Sequence, residues 1–335
     1  MGASKLSPMH VLVTGGAGYI GSVTARTLLD RGHDVTVVDD LRTGHRAAVD
    51  PRAVFVEADV GDTQAMTRAV AARPVDAVVH FAASSLVGES MERPTLYFSN
   101  NSASTLRLLD VIINAGVKRF VLSSTAALYG TPEATPIPES ARIQPESVYG
   151  ESKYLIERAL AWLARTAGLG AVALRYFNAA GASGELGEDH RPESHLIPIV
   201  LQVALGQRDR VAVFGDDYPT DDGSAVRDYI HVDDLADAHV RAVEALTPGR
   251  FDAFNVGTGQ GYSVREVIEA CRTITGHAIP ADAVDRRAGD PPSLVADASR
   301  LQETLGWQAT RSDLQEIVRS AWTWHQAHPN GYQDA

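Results

Sequence analysis

The sequence predicts a doubly wound α/β fold: an open parallel sheet covered by helices on both faces, followed by a smaller C-terminal lobe. Three observations carry this reading. Short β-branched runs alternate with helical stretches from Val11 to about residue 178. The runs are apolar almost without a break, as strands buried on both faces must be. Beyond that point the alternation gives way to loops rich in Gly, Pro and Asp, at Ala180 to Pro192 and Gly215 to Gly223. The strands, in order, are Val11-Leu12-Val13, Val35-Thr36-Val37-Val38, Val54-Phe55-Val56, Ala77-Val78-Val79-His80, Phe120-Val121-Leu122 and Ala171-Val172-Ala173-Leu174. Connecting helices are predicted over Gly21 to Arg31, Thr63 to Ala71, Leu96 to Ala115 and Glu151 to Ala167, each with Gly or Pro close behind it. Two later helices open on Ser263-x-x-Glu266 and Ser312-x-x-Gln315, spacings that predict reciprocal capping boxes. The expected division is 1–180 and 181–335, with residues near 228–257 returning to the first domain.

Length agrees with that division, since 335 residues at about 150 per domain give two domains or one large one with an added lobe. A composition 44% hydrophobic and 21% charged excludes disordered and fibrous classes. The net charge of -12 argues against nucleic acid and requires any phosphate-bearing ligand to be held by a local site. The lone Cys271 cannot form an internal disulfide, which fits a reducing compartment, so the cytoplasm is expected. Residues Met1 to Met9 hold one Lys and no apolar run, reading as neither signal peptide nor anchor. No apolar stretch of about 18 residues occurs, so no membrane association is expected.

The first strand ends at Thr14 and runs into Gly15-Gly16-Ala17-Gly18-Tyr19-Ile20-Gly21 before an apolar helix. Missing side chains there allow a tight turn and let helix N-terminal amides approach a pyrophosphate, the dinucleotide cradle of a Rossmann sheet. Asp39, at the end of the next strand, can accept both hydroxyls of an adenine ribose and repels a 2′-phosphate. NAD is therefore expected over NADP, with Arg42 the one nearby residue that opposes this. Asp59, after the third strand, reads either as an acceptor for the adenine amino group or as a solvated loop carboxylate.

Tyr149 and Lys153 stand four residues apart and so share one face of the predicted helix. An ammonium beside a phenol favours the phenolate and makes a usable base, although the spacing alone fits an ordinary surface pair equally well. Ser123-Ser124-Thr125 ends the fifth strand, on the side where doubly wound sheets bind ligands. No metal is expected. Asp216-Asp217 and Asp221-Asp222 read as a solvated loop, and His231 with Asp233-Asp234 as a strand end and helix cap. Cys271 reads as a core residue.

These motifs resemble those of the extended short-chain dehydrogenases/reductases, and within them the UDP-glucose (UDP-galactose) 4-epimerases. The resemblance spans nearly the whole chain. It rests on Val13-Thr14-Gly15-Gly16-Ala17-Gly18-Tyr19-Ile20-Gly21-Ser22, His80-Phe81-Ala82-Ala83, Val87-Gly88-Glu89-Ser90, Tyr149-Gly150-Glu151-Ser152-Lys153, Leu174-Arg175-Tyr176-Phe177-Asn178 and Val226-Arg227-Asp228-Tyr229-Ile230-His231-Val232. It implies an NAD-dependent isomerase that inverts C4 of a UDP-hexose through a 4-keto sugar, with Tyr149 as acid and base. Lys153, Thr125 and Ser124 would complete the catalytic set. NAD would be lined by Gly15, Gly18, Tyr19, Ile20, Gly21, Asp39, Asp59, Val60, Phe81, Ala82, Ala83, Asn100, Ser123, Tyr149, Lys153 and Tyr176. The UDP-sugar would meet Thr125, Tyr149, Asn178, His195, Leu196, Ala212, Phe214, Arg227, Arg287, Asp290 and Leu294.

The resemblance also implies a homodimer, built from helices such as Leu96 to Ala115 and Glu151 to Ala167. Three positions depart from familiar members: Ser85 replaces a frequent Lys, His195 a frequent Asn, and Leu294 stands where a bulky or small residue sorts plain from N-acetylated sugars. A dehydratase or decarboxylase would call for acidic residues after Thr125, where Ala126-Ala127 stand. The competing readings are an epimerase of UDP-N-acetylhexosamine, UDP-glucuronate or a UDP-pentose, and a non-catalytic dinucleotide-binding regulator.

Overall fold

The computed structural model describes residues 7–287 and 290–333. Its strands are β1 (His10–Thr14), β2 (Asp34–Asp39), β3 (Val54–Glu57), β4 (Ala77–His80), β5 (Arg119–Thr125), β6 (Gly170–Tyr176), β7 (Asn178–Ala180), β8 (Val211–Phe214), β9 (Val226–His231), β10 (Phe251–Val256), β11 (Gly261–Ser263), β12 (Ala281–Val284) and β13 (Ser293–Leu294). Seven of them form the main sheet in the order β10-β6-β5-β4-β1-β2-β3. β1 pairs in parallel with both β2 and β4, β2 with β3, and β4 with β5. The order reverses at β1 and β4, which opens a crevice at their C-terminal ends where such sheets take their ligands.

The chain divides into two compact units, interleaved in sequence. The first comprises the described part of Met1–Ser124 with Ser152–Leu174 and Ala236–Ala253; the second comprises Thr125–Glu151, Arg175–Leu235 and the described part of Phe254–Ala335. In the first unit β1 is buried along its whole length. A core of Leu12, Val78, Leu108, Ile112, Phe120, Ile156 and Leu160 packs the sheet against its helices. Helix Tyr19–Asp30 opens directly on the glycine turn, and helix Thr63–Ala72 is capped by Asp62, whose carboxylate accepts from the amides of Gln64 and Ala65.

The helix expected over Leu96 to Ala115 is broken into a short turn at Pro94–Tyr97, a π-helical stretch at Phe98–Ala103 and an α-helix at Ser104–Asn114. Side-chain chemistry accounts for the wide turn. Asn101 accepts from the Ser84 amide at 2.8 Å and donates to the Ser84 carbonyl and to Ser152 Oγ. Ser104 Oγ donates to the Ser99 carbonyl five residues back. Such bulges recur at ligand sites, and Asn100 lies within this one.

The second unit has its own core, in which Leu201, Val213, Tyr229, Ile268, Cys271, Ile317 and Trp322 meet. Its sheets are small: β11-β9-β13 with β7 added beside β9, and the parallel pair β12-β8. The capping box at Ser263 and Glu266 is formed. The one expected at Ser312 is not. Asp313 caps helix Leu314–Ala327 instead, accepting from the amides of Gln315 and Glu316. Ser312 is drawn away to donate to Asp234 at 2.7 Å and to accept from the His231 amide.

Asp228 staples this unit. Fully buried in β9, it accepts from the Thr258 amide and hydroxyl, the Gly259 amide and the Ala296 amide, at 2.7–3.1 Å. Replacing Asp228 with Ala is expected to cost about 2–4 kcal/mol, because four donors lose their acceptor at once and the Ala296 amide among them is buried. Urea unfolding of the two proteins checks this, and a loss below about 0.5 kcal/mol would contradict it.

Candidate active site

The cofactor residues expected from the sequence follow the C-terminal ends of β1 to β5 or, like Asn100 and Lys153, lie on helices of the first unit, apart from Tyr149 and Tyr176, which fall in the second unit. Gly15 holds a positive φ of 71°, and a Cβ there would stand 2.5 Å from the Ala82 nitrogen. A Cβ on Gly21 would meet the Gly15 carbonyl at 2.2 Å. The turn is therefore closed to any side chain. Gly18 caps the following helix without a side-chain bond, which leaves the helix N-terminus to serve an anion. Asp39, buried at the end of β2, accepts from the amides of Ala17 and Leu41 at 3.0 and 2.9 Å; burial raises its pKa above the usual carboxylate value. Phe81 and Ala82 follow β4 and both donate their amides to the Thr14 carbonyl. Arg42, Asp59 and Asn100 line a cleft of about 430 Å³, in which Arg42 donates to Asn100 at 2.9 Å.

Tyr149 and Lys153 lie on helix Val148–Ala167, whose first turn the sequence placed slightly late. Burial pushes the Tyr149 phenol up to about 12, against a hydrogen bond from Thr125 that works the other way. Desolvation thus outweighs the hydrogen bond in setting the phenol pKa. Thr125 Oγ1 also accepts from the Ala127 amide. Lys153 is 2% exposed and donates to the Ser123 carbonyl at 2.8 Å; burial brings it down to about 8, and the charge of Glu157 pulls it back up. Glu157, one turn beyond Lys153 and itself buried, accepts from Ser124 Oγ at 2.5 Å. Sequence reading passed over Glu157, although Tyr149, Lys153 and Glu157 repeat at the four-residue spacing of one helix face. His80 lies near this ammonium, held neutral between Thr14 and Thr105. Burial, with Lys153 adding to it, brings its imidazole down to about 3.

All the expected sugar-nucleotide residues fall in the second unit. Arg227 on β9 is ion-paired with Asp290, and Leu294 on β13 is its register partner. The Arg287 guanidinium lies 3.9 Å from the centre of the Phe214 ring, at the end of β8. Asn178 opens β7, His195 caps helix Leu196–Ala204, and Ala212 is an exposed residue of β8. His195 pairs with Glu188 and Glu193 and meets the His190 ring edge-on. Together with His190 these form a cluster of which only His195 was expected at a site, and that as a sugar-nucleotide contact.

A model described as the NAD dependent epimerase/dehydratase family matches residues 11–257. The chain belongs to this family. Its relatives match over their full length. A UDP-glucose 4-epimerase of Halalkalibacterium halodurans is 52% identical over 327 residues, covering 97% of this chain and 98% of the relative. A crystal structure of a UDP-glucose 4-epimerase superposes with a TM-score of 0.93 at 45% identity, covering 97% of this chain and 99% of that one. Another, from Bifidobacterium longum in complex with NAD+ and UDP, gives 0.92 at 40% identity, covering 96% and 100%. No described helix is long and apolar enough to cross a membrane.

The NAD named for the epimerase/dehydratase family fits the glycine turn and Asp39 found here. Gly15→Ala is expected to destabilise the protein by about 2–4 kcal/mol and to lower the NAD retained through purification. Thermal unfolding and assay of released nucleotide measure the two effects, and full NAD content in this variant would contradict the expectation.

Proposed function

We propose that this protein is an NAD-dependent isomerase that inverts C4 of a UDP-hexose, interconverting UDP-galactose and UDP-glucose. The observation that carries the reading is the Thr125–Tyr149 hydrogen bond, formed one helical turn before the buried Lys153. It occurs in a chain about half identical, end to end, to a relative named for that reaction. Gly15, Gly18, Tyr19, Ile20 and Gly21 would cradle the pyrophosphate of NAD and Asp39 would hold its ribose. Asp59, Val60, Phe81, Ala82, Ala83, Asn100, Ser123, Lys153 and Tyr176 would line the rest.

When bound, NAD would supply a hydride acceptor and donor for C4. The protein's part is to move one proton and hold the groups in place. Tyr149 Oη takes the proton of the C4 hydroxyl as the carbonyl forms and gives it back as the alcohol re-forms. Thr125 Oγ1 hydrogen-bonds the same oxygen. The Lys153 ammonium favours the phenolate that Tyr149 needs as a base. Ser124 fixes Glu157, whose charge keeps Lys153 protonated. Arg227 and Arg287 grip the diphosphate by forked hydrogen bonds, Phe214 stacks on the base, and Asp290 accepts from the ribose. Asn178, His195, Leu196, Ala212 and Leu294 shape the remaining wall.

Two copies would pair through the helices that expose Leu106, Leu155 and Trp162, large apolar side chains 40–62% exposed. A single buried thiol is in keeping with the cytoplasm.

Proton NMR of UDP-galactose with purified protein and no added cofactor is expected to show the anomeric signal of UDP-glucose growing to equilibrium. Tyr149→Phe should slow that growth roughly 10²–10⁴-fold while NAD content is kept. No conversion by the unaltered protein, even with NAD supplied, would overturn the assignment. The pH profile gives a second check. Because the Lys153 ammonium is lost as pH rises through about 8, kcat/KM is expected to fall above that value. Glu157→Gln removes the anion that raises Lys153, so the fall should begin at lower pH. An unmoved alkaline limb would show that Glu157 does not control it.

A further inference from the structure

The loop leading into helix Leu196–Ala204 gathers four ligating side chains in one place. Glu188, His190, Glu193 and His195 each present a donor atom, and the four atoms lie within 4.8 Å of one another. Nδ1 of His190 and Nδ1 of His195 converge on the same oxygen, Glu188 Oε1, the first of them at 3.2 Å. Glu193 closes the set from the other side, with its oxygens 3.8 Å from His190 Nδ1 and 3.7 Å from His195 Nδ1.

Both carboxylates are nearly out of solvent, at 4% and 3% side-chain exposure, and among the described residues neither pairs with Lys or Arg. Burial works to lower both imidazole pKa values, but hydrogen bonds and charge from Glu188 and Glu193 raise them, that of His190 to about 10, so without an ion the imidazoles balance the two carboxylates. A divalent cation would take the place of their protons and keep the charge balanced. Imidazole nitrogens exclude the oxygen-seeking calcium and magnesium. Two nitrogens and two oxygens suit a tetrahedral ion with bonds of about 2.0–2.1 Å, which sets its donors roughly 3.3 Å apart, within the observed envelope.

The loop is also held before any ion arrives. Tyr332 Oη accepts from the Gly187 amide, Trp324 Nε1 donates to the Glu185 carbonyl, and Asp189 accepts from the Tyr332 amide. Glu193 Oε1 is oriented by the amides of Ser194 and His195.

We propose that Glu188, His190, Glu193 and His195 bind one zinc ion, which ties this loop to the start of the helix that carries Leu196. The site stands whether or not the sugar assignment holds, because metal content and turnover are read separately.

Full-length protein with its bound nucleotide, stripped with EDTA and titrated with zinc sulfate, is expected to take up one zinc per chain in calorimetry with Kd below about 1 µM. Zinc at roughly 100 times Kd should raise Tm by a few degrees. Glu188→Gln and His190→Asn should each weaken binding at least about 100-fold while the circular dichroism spectrum is unchanged. X-ray absorption of the zinc-loaded protein should give two imidazole nitrogens and two oxygens. No binding up to 100 µM zinc, to take an upper limit on the order of extracellular-type metal affinities, overturns the proposal. So does equal binding by both variants, the mark of adventitious zinc. Should the variants fail to fold, the absorption spectrum decides: a shell without two imidazoles overturns the site.

Discussion

The ends of β1 and β4 come into backbone contact at a point that no side chain can enter, and the cofactor half of the molecule depends on this. Thr14 receives the amides of both Phe81 and Ala82, Gly15 donates to the Val38 carbonyl, and Gly21 presses the helix onto Gly15. Three strands and a helix N-terminus are thereby cinched together. Side chains excluded by packing leave the space, and the amides turned outward by the tight turn leave the direction, for a diphosphate. Asp39 then follows from the same geometry, since its carboxylate bridges the turn at Ala17 to the strand end at Leu41.

A second constraint is the amount of charge placed out of water. Lys153, Glu157, Asp228, Asp39 and His80 are all buried. Burying such groups costs stability unless their hydrogen bonds are satisfied, and here each has a partner: Ser123, Ser124, Thr258, Ala17 and Thr14 respectively. Asp228 repays its burial with structure, by joining β9 to the loops at Thr258 and Ala296. The Lys153–Glu157 arrangement is different. It perturbs the pKa of Lys153, a kind of shift that clusters at functional sites.

Much of this was legible in the sequence because it is local. Parallel strands announce themselves as apolar runs, and the glycine turn, Asp39 and the Tyr149–Lys153 spacing need no knowledge of distant residues. What could not be read depends on partners far along the chain. Ser312 looked like a helix cap until Asp234 claimed it, and the π-helical stretch arises because Asn101 reaches Ser84 and Ser152. β7 and β13 are too short for periodicity to register, and β8 and β12 carry exposed residues, Ala212 and Val284, that mimic loop. The cluster at Glu188 to His195 was local enough to see, but its ligand spacing matches no familiar motif.

The order in which the two units draw on the chain has one more consequence. Each is assembled from three separate segments, and the division falls between Ser124 and Thr125 and again between Glu151 and Ser152, inside the strand that bears Thr125 and the helix that bears Tyr149 and Lys153. Tyr149 is thus inherited with one unit and Lys153 with the other. Neither unit corresponds to one contiguous stretch of the chain, so neither can be cut out as a single fragment.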